Sequence, residues 1–160
     1  MKKSKKKVAV VHCSGACSFT DGVPSCSSGC LSCGECAAVC KKDAVTFDGD
    51  SRAALISREL CVGCGLCVKA CPQELITLEA AEDTIQVLCS NHDAGRLARQ
   101  ICTASCIACG LCEKNCPSGA IYVTDNCAVT DKNRCIACGM CAVQCPRGVI
   151  HDANGIFTAV

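Results

Sequence analysis

Four times along its 160 residues the chain repeats one pattern, C-x2-C-x2-C-x3-C, and no other feature limits its possible folds as strongly. The copies are Cys30-Leu-Ser-Cys33-Gly-Glu-Cys36-Ala-Ala-Val-Cys40, Cys61-Val-Gly-Cys64-Gly-Leu-Cys67-Val-Lys-Ala-Cys71, Cys106-Ile-Ala-Cys109-Gly-Leu-Cys112-Glu-Lys-Asn-Cys116 and Cys135-Ile-Ala-Cys138-Gly-Met-Cys141-Ala-Val-Gln-Cys145. Thiols separated by two residues on a tight loop converge on a shared centre. Each run therefore calls for a short, turned backbone rather than a long regular element. Composition points the same way. A core normally draws much of its buried area from aromatic side chains, yet the chain has no Trp, one Tyr and three Phe beside 22 cysteines. Something other than side-chain packing must hold it together.

The runs resemble those with which bacterial ferredoxins hold [4Fe–4S] clusters. A cubane presents four iron corners. Three thiolates of a tandem run reach three of them, and the fourth arrives from elsewhere in the fold. In two-cluster ferredoxins the last cysteine of each run binds the other cluster. Crosswise ligation then groups Cys30, Cys33 and Cys36 with Cys71, and Cys61, Cys64 and Cys67 with Cys40. In the second half it groups Cys106, Cys109 and Cys112 with Cys145, and Cys135, Cys138 and Cys141 with Cys116. Structural zinc sites use two C-x2-C pairs across a spacer, which is not this spacing. Disulfides would need an oxidising compartment, which nothing in the sequence suggests.

Residues between and beyond the cysteines fit the same centre. Gly34, Gly65, Gly110 and Gly139 follow the second cysteine of their runs, where positive φ lets backbone N–H groups face anionic sulfur. Leu31, Val62, Ile107 and Ile136 follow the first cysteine and can shield a cluster from water. Five residues past each last cysteine, Val45, Ile76, Ile121 and Ile150 open β-prone stretches. Pro72, Pro117 and Pro146 follow a last cysteine and end a helical turn. The first run has Lys41 there instead.

The first two runs start 31 residues apart and the last two 29 apart, with 45 between the middle starts. The expected fold class is α+β: two tandem bacterial-type 2[4Fe–4S] ferredoxin modules, each a β-α-β-β-α-β unit, with a short cysteine-rich N-terminal extension. The expected boundaries are 1–26 for a basic tail and that extension, 27–80 for module 1, 81–102 for a linker, and 103–155 for module 2. In the linker, TIQVLC (84–89) reads as a strand and AGRLARQIC (94–102) as a helix.

Lys2, Lys3, Lys5, Lys6 and Lys7 open the chain and are expected to form a solvated, disordered tail. No aromatic platform accompanies them, which argues against nucleic-acid binding. The apolar run after them, Val8 to Val11, is too short for a secretory signal, and no segment approaches the length of a membrane span. The expected location is the cytoplasm, with no direct membrane insertion. The formal charge of +1 becomes about −7 once four clusters add roughly −2 each, so a basic docking surface on a redox partner becomes the expected complement.

Beyond the runs, the order HCSGAC, SCSSGCL, then two modules separated by VLCSNHDAGRLARQICTASC resembles the soluble iron–sulfur region of the B subunit of Rnf complexes over nearly all of residues 10–152. In that family a membrane helix and a small cluster domain come before this region. Their absence here implies a free-standing relative that serves a soluble oxidoreductase complex rather than the membrane pump. In the family, a cysteine matching Cys26 stands near a first run that often lacks an equivalent of Cys33. The resemblance thus makes Cys26 a rival to Cys33 as ligand. Six cysteines lie outside the runs: Cys13, Cys17, Cys26, Cys89, Cys102 and Cys127. They are either small buried apolar residues or, for Cys13, Cys17 and Cys26 with Cys89 or Cys102, ligands of a fifth cluster. Cys127 reads as the buried kind.

The expected function is electron transfer: a multi-cluster wire relaying single electrons, most naturally as a subunit of a larger oxidoreductase complex rather than a diffusible polyferredoxin. The chain has no G-x-G-x-x-G, P-loop or C-x-x-C-H haem motif. It is therefore read as a carrier subunit, not an enzyme, with a flavoprotein or dehydrogenase subunit and ferredoxin as partners. The readings from other classes are an enzyme with an open-site N-terminal cluster and a redox or iron sensor.

Overall fold

The computed structural model describes residues 5–49 and 52–155. In chain order the elements are β1 (Lys7–Val11), β2 (Phe19–Thr20), β3 (Val23–Pro24), α1 (Glu35–Ala38), β4 (Val45–Phe47), β5 (Ala54–Ile56), α2 (Leu66–Ala70) and β6 (Ile76–Ala80). There follow β7 (Ile85–Val87), α3 (Gly95–Ile101), α4 (Leu111–Lys114), β8 (Ile121–Thr124), β9 (Cys127–Thr130), α5 (Met140–Gln144) and β10 (Ile150–Asp152). The two halves repeat one plan. An outer strand, a run ending in a one-turn helix, a hairpin, a second run with its helix and a closing strand come in that order.

The closing strand pairs antiparallel with the opening one. β1 lies on β6 with Val8 opposite Glu79 and Val11 opposite Ile76, and β7 lies on β10 with Val87 opposite Ile150. The hairpins are β4–β5 and β8–β9. Asp125 and Asn126 turn the second of these at φ 49° and 60°, the left-handed pair that a two-residue hairpin loop requires. Val45, Ile76, Ile121 and Ile150, expected to open strands, are the first residues of β4, β6, β8 and β10, and all four are buried.

Each half has its own core, made of small aliphatic residues and cysteines. Val8, Ala9, Ala44, Val45, Ala54 and Ile76 surround Cys36, Cys61 and Cys67. Ile85, Ile121, Ala128, Ala142, Val149 and Ile150 surround Cys112 and Cys141. Phe47 and Tyr122 stay outside, 38% and 42% exposed, so aromatic packing contributes little to either core.

The structure differs from expectation at both opening strands. Lys7–Val11 lies in the segment expected to be a tail, yet it closes the sheet of module 1. Residues 85–87 lie in the expected linker, yet they close the sheet of module 2. The physical reason is burial: Val8 and Ala9 are 0% and 3% exposed, and withdrawing such side chains from water outweighs the pull of the neighbouring lysines toward solvent. The lysines are placed accordingly. Lys5 forms an ion pair with Glu82, and Lys6 donates from Nζ to the Arg58 carbonyl at 3.2 Å. The expectation of a disordered tail fails at Lys7, which opens β1, although Lys5, Lys6 and Lys7 stay exposed as expected; Lys2 and Lys3 lie outside the described residues. The strand and helix expected between the modules appear as β7 and α3. No helix among the described residues is long and apolar enough to cross a membrane.

Candidate iron–sulfur centres

The local backbone of the four runs is set by left-handed residues at matching positions. Two residues past each first cysteine, Ser32, Gly63, Ala108 and Ala137 have φ of 54°, 69°, 53° and 54°. The glycine after each second cysteine caps the following helix at φ 73–79°. Alternating left- and right-handed residues curl the chain around its thiols and turn amides inward. Past the last cysteine the amide four residues on donates to its sulfur: Ala44 to Cys40 at 3.4 Å, Leu75 to Cys71 at 3.5 Å, Ala120 to Cys116 at 3.2 Å. The Ala9 amide of β1 donates to Cys61 Sγ at 3.4 Å, so the opening strand also supports a centre.

The folded chain gathers the cysteines crosswise. Cys30, Cys33 and Cys36 wall one cavity together with Cys71 of the second run. Cys61, Cys64 and Cys67 wall the next with Cys40 of the first. Cys106, Cys109 and Cys112 share a third with Cys145. In the fourth set, Cys141 has Cys135, Cys116 and Cys138 within electrostatic reach. Cys33 lines the first cavity, whereas Cys26 lines a different one.

All 22 cysteines are free. Among the described residues no three Cys, His, Asp or Glu side chains close on a point where one ion could sit. The thiols of the first three sets gather in fours around shared cavities, the number of ligands that a cubane with iron at its corners takes. Burial pushes the Cys36, Cys112 and Cys141 thiols up to about 11. A bare thiolate is disfavoured at these inner positions, so the proton leaves when iron takes its place. The middle cysteines Cys33, Cys64 and Cys109 are exposed, which brings one corner of each of those three sets to the surface. Leu31, Val62 and Ile107 line the three cavities, and Leu31 and Val62 also face solvent, so those two shield their centres only in part.

The remaining cysteines also fall into place. Cys13, Cys17, Cys26, Cys89 and Cys102 all line one further cavity where the two modules meet. Contacts between distant parts of the chain lie close by: the Cys17 backbone bridges Cys102, His12 Nδ1 lies 2.8 Å from the Val87 carbonyl, and the Arg147 guanidinium donates to the Cys102 carbonyl at 2.6 Å. Cys127 is buried at 3% exposure and its S–H donates to the Cys89 carbonyl at 3.5 Å. One signal for this junction stands in the sequence and is easily missed beside the four runs. Each module opens with the same C-x12-C-x3-C spacing, Cys13–Cys26–Cys30 and Cys89–Cys102–Cys106. Asn91, which also lines the cavity, is not singled out by any spacing in the sequence.

Comparison with known proteins finds 4Fe-4S domains along most of the chain. Residues 26–78 and 60–120 each match a 4Fe-4S dicluster domain, and residues 128–151 match a 4Fe-4S binding domain. The chain is 38% identical over 148 residues to the B subunit of a Na(+)-translocating ferredoxin:NAD(+) oxidoreductase complex from Acetobacterium woodii, covering 81% of this chain and 44% of that protein. It is 37% identical over 125 residues to the B subunit of an ion-translocating oxidoreductase complex from Methanosarcina acetivorans, covering 78% of this chain and 47% of that protein. The chain thus spans about half the length of these relatives.

Proposed function

On the premise that this chain is a tandem [4Fe–4S] ferredoxin homologous over about 80% of its length to the B subunits of ion-translocating oxidoreductase complexes, we propose that it relays single electrons between redox proteins as one subunit of an oxidoreductase complex. Sixteen run cysteines hold four clusters in the crosswise sets described above. The observation that carries this reading is the sharing of each cavity between three cysteines of one run and the last cysteine of its sister.

Bound clusters supply reversible one-electron chemistry at potentials between roughly −700 and +450 mV, tuned by burial and by hydrogen bonds to sulfur. The chain does the rest. Amides of Ala9, Ala44, Leu75 and Ala120 donate to ligand sulfurs and so favour added negative charge there. Exposed Cys33, Cys64 and Cys109 set a thiolate at the surface, where an electron can pass to a docked protein. The chain is a carrier and not itself the seat of substrate chemistry. Its partners are a flavoprotein or dehydrogenase subunit and ferredoxin, and its place is the cytoplasm. A net charge of about −7 with four clusters steers it toward basic docking faces.

Anaerobic redox titration tests the proposal. The full chain with its iron should take up at least four electrons from a low-potential reductant, bleaching in the visible, and return them to a flavoprotein acceptor. Zinc without sulfide, or reduction with no onward transfer to any protein acceptor, would contradict it. Isolation from its native source as a monomer with no redox protein bound would contradict the subunit assignment.

A further inference from the structure

The cavity between the modules has the features of a cluster site without belonging to any of the four runs. The chain presents it with a local two-fold repeat. Cys13 follows β1 by two residues, and Cys89 follows β7 by two. Cys13 Sγ accepts from the amide of Gly15 at 3.4 Å and of Cys30 at 3.5 Å. Cys89 Sγ accepts from the amides of Asn91 and Cys106, both at 3.4 Å. These are the same positions in the two modules, two and 17 residues along the chain. Cys26 and Cys102 each stand four residues before their run, and both are buried. Equivalent cysteines from the two halves therefore meet across one cavity.

A second observation is independent of the cysteines. Asn91 lines this cavity and is 2% exposed. Its Oδ1 accepts from the Asp93 amide at 3.0 Å, but its Nδ2 is buried and has no partner among the described residues. A buried amide donor without an acceptor is costly, and sulfide or thiolate sulfur in the cavity would supply the acceptor.

The geometry points to a fifth [4Fe–4S] cluster at the module junction, held by Cys13, Cys26, Cys89 and Cys102, with Asn91 Nδ2 donating to its sulfur. Each thiol gives up its proton on ligation. Cys17 stands outside the repeat, having no counterpart in module 2. Its backbone bridges Cys102 and its side chain shares a small core with Cys26 and Cys102, so the two-fold repeat and not distance sets it apart from the four ligands. The cluster extends the relay proposed above and rests on that reading for its purpose alone: it would connect the two modules, which otherwise each hold a separate pair.

Iron and sulfide analysis of the anaerobically reconstituted full chain tests this directly. The expected content is about 20 iron and about 20 sulfide per chain, against about 16 for the four runs alone. A content of about 16, with the relay intact, overturns the fifth cluster and leaves the proposed function standing; loss of both would count against the whole. Cys26→Ala and Cys89→Ala should each lose about four iron while keeping the electron paramagnetic resonance of the other clusters, and Cys17→Ala should keep about 20. Loss of four iron from Cys17→Ala, with full retention in Cys13→Ala, would overturn the ligand assignment. Where a variant fails to fold, the count on the unsubstituted chain decides by itself.

Discussion

A single methyl group separates two glycines of the cluster loops in consequence. Gly110 sits at φ +73°, and a Cβ added there would have nothing within 4 Å, so Gly110→Ala meets only the left-handed strain of a non-glycine residue, roughly 1–2 kcal/mol. Gly63 has φ +69°, and a Cβ there would stand 2.4 Å from the Lys7 carbonyl oxygen. That contact is with backbone, so Gly63→Ala must also displace β1 from its place beside the Cys61 set. The expected cost is on the order of 3 kcal/mol or more. Thermal denaturation followed by loss of visible absorbance should rank Gly63→Ala well below Gly110→Ala; equal midpoints would mean that the close approach of β1 to this loop has no weight. Much of the residue level is readable in sequence, because thiol spacing and glycine follow from what a cubane needs. Ser32, Ala108 and Ala137 are not, since they adopt φ of 53–54° that their types do not announce.

At the level of elements, the strands that follow the runs are local features and visible as β-branched residues at fixed offsets. Of the strands that open the modules, β7 is legible as TIQVLC, though it falls in the expected linker, and β1 is not. Lys7–Val11 reads as the end of a lysine-rich tail because its partner, Ile76–Ala80, lies about 70 residues away and leaves no mark on the local pattern. Module boundaries drawn from the cysteine runs therefore begin too late to include either opening strand. The role of β1 makes a distinct prediction. Val8 is 0% exposed within the first core, and Val8→Asp would bury a charge with no partner, at a cost of about 3–5 kcal/mol. Its clusters should bleach in air many times faster than those of the unsubstituted chain. If β1 were a dispensable tail, the substitution would leave cluster stability unchanged.

Across the whole molecule, the cores are too poor in large side chains to explain the fold by packing alone. Cysteines occupy their centres, so cluster binding and folding are coupled, and removing iron with a chelator under oxidising conditions should collapse the far-ultraviolet circular dichroism. Persistence of native secondary structure in the iron-free chain would show that packing suffices. The modules meet around cysteines that no ferredoxin run accounts for, and their C-x12-C-x3-C repeat becomes conspicuous only once the fold brings the copies face to face. Everything in this reading depends on each run centre being shared between sister runs, and anomalous diffraction at the iron edge from anaerobic crystals would see that sharing. Four iron clusters should lie between Cys30/Cys33/Cys36 and Cys71, Cys61/Cys64/Cys67 and Cys40, Cys106/Cys109/Cys112 and Cys145, and Cys135/Cys138/Cys141 and Cys116. Clusters closed within single runs, or isolated metal ions with no sulfide, would contradict it.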